Sequence, residues 1–339
     1  MEDLFDFIPE AREIFTRRFE ILEFIIQQDL AGRRRISSRL GLSERVVRDE
    51  IEFLRFNDLV LVEAAGVKPT KKALMTYKEL RPVYEEAASL KLISSKLCDL
   101  LKIDRAIVVR GNVEEDEDIF INLGDACVDF VKDLVKKGDI IGVTGGRSLR
   151  EVANRAKDLK VDDLMVVPAR GSLGKIPMYQ ANTVAAIMAE GFRASYNILA
   201  VPDMVDEKTL NMLLKNEEVK EVYDLVRNID ILIFGLGRAD VMGQKRGLDQ
   251  KTRNEILKRG AVGEAFGHYF DLDGQEIYSQ ESFGISKEEF LKIKKVVAVA
   301  GGAKKAQALV SIAKMRPSMS LVTDEGLARE VLREFGGEK

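Results

Sequence analysis

Apolar residues recur at helical spacing near the start of the chain. Ile14, Phe15, Phe19, Leu22 and Ile25 or Ile26 repeat every three to four positions, which predicts an amphipathic helix over about residues 10–28. A shorter pattern from Ile36 to Leu40 stops at Gly41, and Ser43 is placed to N-cap a third helix running to about Phe56. On a helical wheel Val47, Ile51 and Leu54 share one face of that third helix, while Arg45, Arg48, Asp49, Glu52 and Arg55 share the other. Short helix, glycine turn and longer helix make a helix-turn-helix layout. Leu59 to Val62 then reads as a strand, Ala65-Gly66 as a turn, and Val67 to Lys72 as a basic return strand leading into another helix, so the layout is that of a winged helix. From Pro82 to Leu101 follows a long helical pattern whose apolar stripe includes Tyr84, Ala87, Ala88, Leu92, Ile93, Leu97, Leu100 and Leu101. Such a stripe is buried either against the domain that follows or against a second copy.

Beyond residue 104 the period changes. Short apolar runs alternate with helical patterns: Ala106–Val109, Ile140–Val143, Leu164–Val167, Ile198–Val201, Ile231–Phe234, Val296–Ala300 and Ser320–Val322. Runs without polar alternation indicate strands covered on both faces, hence an α/β domain with a parallel sheet flanked by helices. The expected division is a winged helix-turn-helix domain over 1–80, a connector helix over 81–103 and an α/β effector domain over 104–339. A length of 339 residues accommodates this at about 150 residues per domain.

Composition narrows the chemistry. The chain is 46% hydrophobic and 32% charged, without an apolar run of membrane-spanning length or a leader pattern at its acidic N-terminus, so a soluble cytoplasmic protein without membrane partners is expected. One histidine, His268, and two distant cysteines, Cys98 and Cys127, leave no zinc site or disulfide framework, and neither metal nor cofactor is expected. Both cysteines read as buried thiols. The net charge of −3 argues against a nucleic-acid partner until it is resolved along the chain. Residues 1–30 carry eight acids and three bases, whereas Arg33 to Arg48 carry six arginines and one acid. Such asymmetry is an electrostatic footprint for DNA. Arg45 and Arg48 have the reach and fork to read guanine, Arg33, Arg34, Arg35 and Ser43 suit phosphates, and Lys68, Lys71 and Lys72 would place the wing near a flanking phosphate. An acidic protein partner for the basic helix is the weaker alternative, because it leaves the wing unexplained.

In parallel sheets ligands sit at the carboxyl ends of the strands. There Thr144-Gly145-Gly146-Arg147-Ser148 joins a strand to a helix, and its amides, hydroxyls and arginine suit a phosphate, although the turn is neither a Walker loop nor a dinucleotide fingerprint. Arg170 follows Val167 closely, Gln180 precedes another helix, Gly235-Leu236-Gly237-Arg238-Ala239-Asp240 follows Phe234, and Gly301-Gly302-Ala303-Lys304-Lys305 forms a second glycine turn. Glu264 suits a sugar hydroxyl, His268 reads as a hydrogen-bonded structural residue, and the acidic run Glu114–Asp118 reads as a solvated loop without chemistry. Two anion-suited turns with arginine, amide and carboxylate groups fit a phosphosugar.

The segments IGVTGG, PARG, YQAN, GLGRAD, GEAFG and VAVAGGAKKAQAL, behind the basic helix-turn-helix, resemble the SorC-type sugar-responsive transcription factors over essentially the whole chain. The resemblance implies an effector domain of the glucosamine-6-phosphate deaminase and ribose-5-phosphate isomerase type of fold. It also implies a phosphosugar, first of all fructose 1,6-bisphosphate, that releases a homodimeric or homotetrameric repressor of glycolytic genes from its operator. By position, the Gly145–Ser148 turn would take one phosphate, with Arg170, Gln180, Glu264 and Lys305 around the sugar and second phosphate, and Arg246 favoured over Lys245 for a further phosphate contact. The family's turn commonly continues with two threonines, where this chain has Arg147 and Ser148. The competing expectation is a sugar-phosphate isomerase or deaminase, for which only Asp240, Glu264 and His268 offer acid or base groups.

Overall fold

A computed structural model describes residues 8–172, 176–203, 205–280 and 283–337. The chain divides into two compact units, Met1–Leu92 and Ile93–Lys339.

The first unit is built on α1 (Pro9–Gln28), α2 (Arg33–Leu40) and α3 (Glu44–Phe56), with a hairpin of β1 (Val60–Glu63) and β2 (Gly66–Pro69). Gly41 ends α2 with φ 64°, a conformation that costs glycine nothing, and Ser43 Oγ accepts the Val46 N–H to open α3. Ile21, Leu22, Ile25, Ile36, Val47, Ile51 and Leu54 form one apolar cluster with Val60 and Val67 of the hairpin. The return strand stops at Pro69, short of the expected Lys72. Thr70 Oγ1 accepts the Ala73 N–H, and Lys71 and Lys72 lie in the first turn of α4 (Lys71–Leu101).

Helix α4 is a single element of 31 residues with Pro82 inside it, and the division between the two units falls within it. Its apolar stripe has separate uses. Tyr84 stacks on Phe19 of α1 with ring centroids 4.2 Å apart, while Ile93, Leu97 and Leu101 are buried and Leu92 is exposed. The side chains of residues 85–88, Ala87 and Ala88 among them, lie outside those described.

The second unit contains seven parallel strands: β3 (Arg105–Val109), β4 (Ile140–Val143), β5 (Met165–Pro168), β6 (Ser195–Tyr196), β7 (Ile231–Phe234), β12 (Lys295–Ala300) and β13 (Ser320–Asp324), in the order β3-β13-β12-β7-β4-β5-β6. Helices α5 (Ile119–Leu134), α6 (Arg147–Asn154) and α7 (Ala181–Phe192) cover one face, packing Leu123, Val131, Leu149, Val152, Val184 and Met188 on Ile141, Val143, Ile231 and Ile233. The expected strand over Ile198–Val201 is absent. That segment is irregular, with Leu199 and Val201 buried beside Phe283 and the Asn182 side chain bonding both the N–H and the C=O of Leu199. Here apolar residues fill a loop core rather than a strand.

Four strands escaped the sequence pattern: β8 (Gly237–Arg238), β9 (Gly263–Ala265), β10 (His268–Phe270) and β11 (Glu276–Ser279) form an antiparallel sheet in the order β11-β10-β9-β8. Helices α8 (Glu207–Leu213) and α9 (Glu217–Arg227) lie between β6 and β7, and α10 (Ala239–Lys245) and α11 (Gln250–Lys258) between β8 and β9. The chain closes through α12 (Lys287–Lys292), α13 (Ala306–Met315) and α14 (Glu325–Phe335). No helix among the described residues is long and apolar enough to cross a membrane. Both cysteines are free thiols, Cys127 buried as expected and Cys98 only half-buried.

Candidate functional site

Strand order reverses direction between β4 and β7: β4 leads outward to β5 and β6, and β7 leads the other way to β12. Connections that part in opposite directions leave a crevice at the strands' carboxyl ends. The two loops there are joined, since the Gly235 N–H donates to Thr144 Oγ1 at 3.1 Å. Gly145 passes so close to the Tyr179 carbonyl that a Cβ would stand 2.3 Å from its oxygen. Gly146 has φ 120° and donates its N–H to the same carbonyl at 2.9 Å. Thr144 and Ser148 are buried, and Gln180 is the N-cap residue of α7 beside this turn. Arg147 opens α6 but is already paired: Glu117 receives its Nη1 and Nη2 at 2.8 and 2.5 Å, and the guanidinium lies over the Phe120 ring, 4.5 Å from its centre.

Arg170, Arg246 and Glu264, far apart in sequence, come together around Asp203, which the sequence pattern had not marked. Arg170 is bidentate to Asp203, with Nε–Oδ1 at 2.8 Å and Nη2–Oδ2 at 2.9 Å. Arg246 Nη1 reaches Asp203 Oδ2 at 2.8 Å, and its Nε and Nη2 reach Glu264 Oε1 at 2.9 and 2.8 Å. All four side chains are buried. Two cations and two anions cancel, which is how such groups tolerate burial.

The backbone explains the meeting. Residues 169–172 are held between two loops: Ser172 N–H donates to Val201 C=O, Asp203 N–H to Ser172 C=O, and Gly171 N–H to Phe283 C=O. Glu264 is fixed by the β9–β10 hairpin, whose two turn residues Phe266 and Gly267 both have positive φ, and the Gly267 N–H donates to Glu264 Oε1 at 2.6 Å. One atom stays unsatisfied, since Arg170 Nη1 is buried without a hydrogen-bond partner among the described residues. Burial, and then the Arg246 charge, push the Arg170 guanidinium below its ordinary value, against the pull of Asp203.

The second glycine turn is organised by another carboxylate absent from the sequence-based candidates. Asp324 accepts N–H groups from Val113, Gly302 and Leu327 at 2.8, 2.9 and 2.9 Å. Burial nevertheless raises its pKa against those bonds and against Lys305. A Cβ on Gly301 would stand 2.9 Å from Asp324 Oδ2. The Gly302 amide, expected to face a phosphate, is thus already engaged. Lys305 makes no ion pair with a described residue, and burial pushes its pKa down, with Asp324 opposing and Lys245 adding to the fall.

Asp240 stands apart from this arrangement. Arg238 holds it through a two-point pair at 3.1 and 2.6 Å, and it lines a groove between α10 and α11. His268 Nδ1 lies 3.3 Å from Glu276 Oε2, and burial lowers its pKa. The acidic run is not merely solvated. Besides the Glu117 contact, Glu114 Oε1 accepts the Lys304 N–H at 3.2 Å.

In the first unit, Arg33, Arg34, Arg35, Arg45 and Arg48 are exposed. Arg33, Arg34 and Arg48 make loose pairs of 4.0, 3.7 and 3.4 Å with Glu52, Glu44 and Asp49, while Arg45 makes no ion pair with a described residue. Lys68 pairs with Glu63 within the hairpin, Lys71 is exposed, and Lys72 Nζ donates to the Asn57 carbonyl, so Lys72 braces the end of α3. Ser43 serves as the cap of α3. Glu50, on the same helix, is buried and binds Arg17 and Arg18 of α1 at 2.7 and 2.6 Å, fixing the orientation of the arginine-bearing face.

Comparison with known proteins adds independent findings. The family model described as "Putative sugar-binding domain" matches residues 86–333, and that of the "CggR N-terminal DNA binding domain" matches residues 14–84. The chain is 33% identical to the central glycolytic genes regulator of Priestia megaterium, over 97% of this chain and 96% of that protein. Identity to the regulator of the same name from Bacillus subtilis is 34%, over 96% of each. Among solved structures, one described as a "putative SorC family transcriptional regulator" from Enterococcus faecalis superposes with a TM-score of 0.67 at 31% identity, covering 71% of this chain and 99% of its own.

Proposed function

The chain belongs to the SorC-type sugar-responsive transcription regulators, and from that membership and the geometry above we propose that it is a repressor of glycolytic genes whose operator affinity is set by fructose 1,6-bisphosphate. It has a DNA-binding and a sugar-binding domain. The observation that carries the finer reading is the buried Arg170–Asp203–Arg246–Glu264 network at the strand ends, with Arg170 Nη1 left without an acceptor among the described residues. An unsatisfied buried charged donor costs about 1–3 kcal/mol or more, and an oxygen of a phosphate or sugar hydroxyl recovers it. Thr144, Gly145, Gly146, Arg147 and Ser148 would surround one phosphate, while Gln180, Gly301 and Lys305 would face the sugar and a second, with Lys245 adding charge.

The protein binds its sugar without turning it over. The groups that could serve as acid or base are each committed elsewhere, Asp240 to Arg238, Glu264 to Arg246 and Gly267, and His268 to the neighbourhood of Glu276. Arg45 and Arg48 read base edges, and Arg33, Arg34, Arg35, Lys68 and Lys71 hold phosphates of double-stranded operator DNA. Two copies reading paired half-sites fit this mode, and Leu74, Met75 and Leu92 on α4 offer exposed apolar surface for a partner copy.

A thermal-shift panel of glycolytic phosphosugars tests the effector assignment, because a ligand that binds only the native state stabilises it by about 2.7 kcal/mol at one hundred times Kd. Fructose 1,6-bisphosphate is expected to raise Tm more than fructose 6-phosphate or glucosamine 6-phosphate. A larger rise with a monophosphate would reassign the effector.

A further inference from the structure

The loop from Arg110 to Asp118, between β3 and α5, is held in place rather than free. The Val113 N–H donates to Asp324, the Glu114 N–H donates to Asn112 Oδ1 at 3.0 Å, and the Glu115 and Asp116 N–H groups donate to the Asn112 carbonyl. Glu114 pins the loop to the second glycine turn through the Lys304 N–H, and its carboxylate presses on Gly302, where a Cβ would stand 3.0 Å from Oε1. Thus fixed, the loop extends Glu117 to the first glycine turn, where its carboxylate takes two nitrogens of Arg147 while Phe120 supports the guanidinium's face. Arg147 is the sole cationic side chain of the Thr144–Ser148 turn. A carboxylate with two parallel contacts to a guanidinium occupies the geometry that a phosphate would use.

We propose that Glu117 is an internal competitor of the effector, holding Arg147 in a two-point pair that an incoming phosphate must displace, and so setting the affinity and anion selectivity of the site. The inference rests on the phosphosugar reading of these turns. A strongly charged phosphate outcompetes the carboxylate, while a weaker or singly charged anion leaves the pair closed. Arg147 is nearly half-exposed and Glu117 more so, so the exchange requires no unfolding of the core.

Isothermal titration of the full chain with fructose 1,6-bisphosphate tests it. Glu117→Gln should bind about two- to fivefold more tightly than wild type, the range of an exposed ion pair. Asp118→Asn removes the same charge from an exposed residue of the same loop that makes no ion pair with a described residue, and should leave the affinity unchanged. In an Arg147→Thr background, Glu117→Gln should lose its effect. Unchanged or weaker binding by Glu117→Gln would overturn the proposal, the latter by showing that Glu117 positions Arg147 for the ligand. Equal tightening by Asp118→Asn would also overturn it, in favour of general loop charge. If wild type itself releases no heat with fructose 1,6-bisphosphate, the effector reading fails first and the competitor role falls with it.

Discussion

Asp324 shows how much one side chain can organise. Its carboxylate ties the loop after β3, the glycine turn after β12 and the first turn of α14 through three backbone N–H groups. Asp324→Ala strands those donors and is expected to cost about 3 kcal/mol, read as a lower urea midpoint with unchanged slope. Lys305 yields a prediction with a definite sign. In the proposed site a phosphate would meet the ammonium form of Lys305, which burial already disfavours, so affinity should fall as pH rises and start falling below the ordinary lysine range near about 10.4. Titrations across pH should find the fall absent in Lys305→Arg. Neither Asp203 nor Asp324 was legible in the sequence. Asp203 lies 33 residues from Arg170 and 43 from Arg246, and only the pinning of segment 169–172 between distant loops makes them neighbours. The sequence and the family resemblance singled out Arg170, Arg246 and Glu264 as candidates, but not that they would be joined in one buried network through Asp203.

At the scale of elements, what could be read was what repeats. The 3.6-residue period of α3 and its opposite polar face placed Arg45 and Arg48 outward, as found, because that helix packs one face on a local core. Continuous apolar runs located six of the seven parallel strands for the same reason. Ile198–Val201 misled because burial in a loop core carries the same composition as burial in a sheet, and β8 to β11 are too short to show a period. Proximity to a wing also said nothing of the Asn57 carbonyl that takes the Lys72 ammonium. That contact predicts a ranking. Arg45→Ala and Arg48→Ala should each weaken operator binding by about 1–3 kcal/mol, whereas Lys72→Ala should leave the salt slope of binding unchanged. Fluorescence anisotropy over a salt series measures both, and equal effects at all three positions would refute the assignment of α3 as the reading helix.

For the whole molecule, the net charge of −3 divides almost evenly, −1 on the first unit and −2 on the second, so the difference in duty lies in local faces: a basic helix-turn-helix face in one and a few cations at the strand ends of the other. Helix α4 carries the chain from one unit to the other. The proposed release from the operator requires the sugar to favour the arrangement that binds DNA poorly, and linkage then requires DNA to weaken sugar binding by the same factor. Operator affinity, measured by anisotropy with and without saturating fructose 1,6-bisphosphate, should fall by a factor of about 5–150, the usual span of allosteric coupling. Operator affinity that stays the same while calorimetry shows the sugar bound would contradict that release.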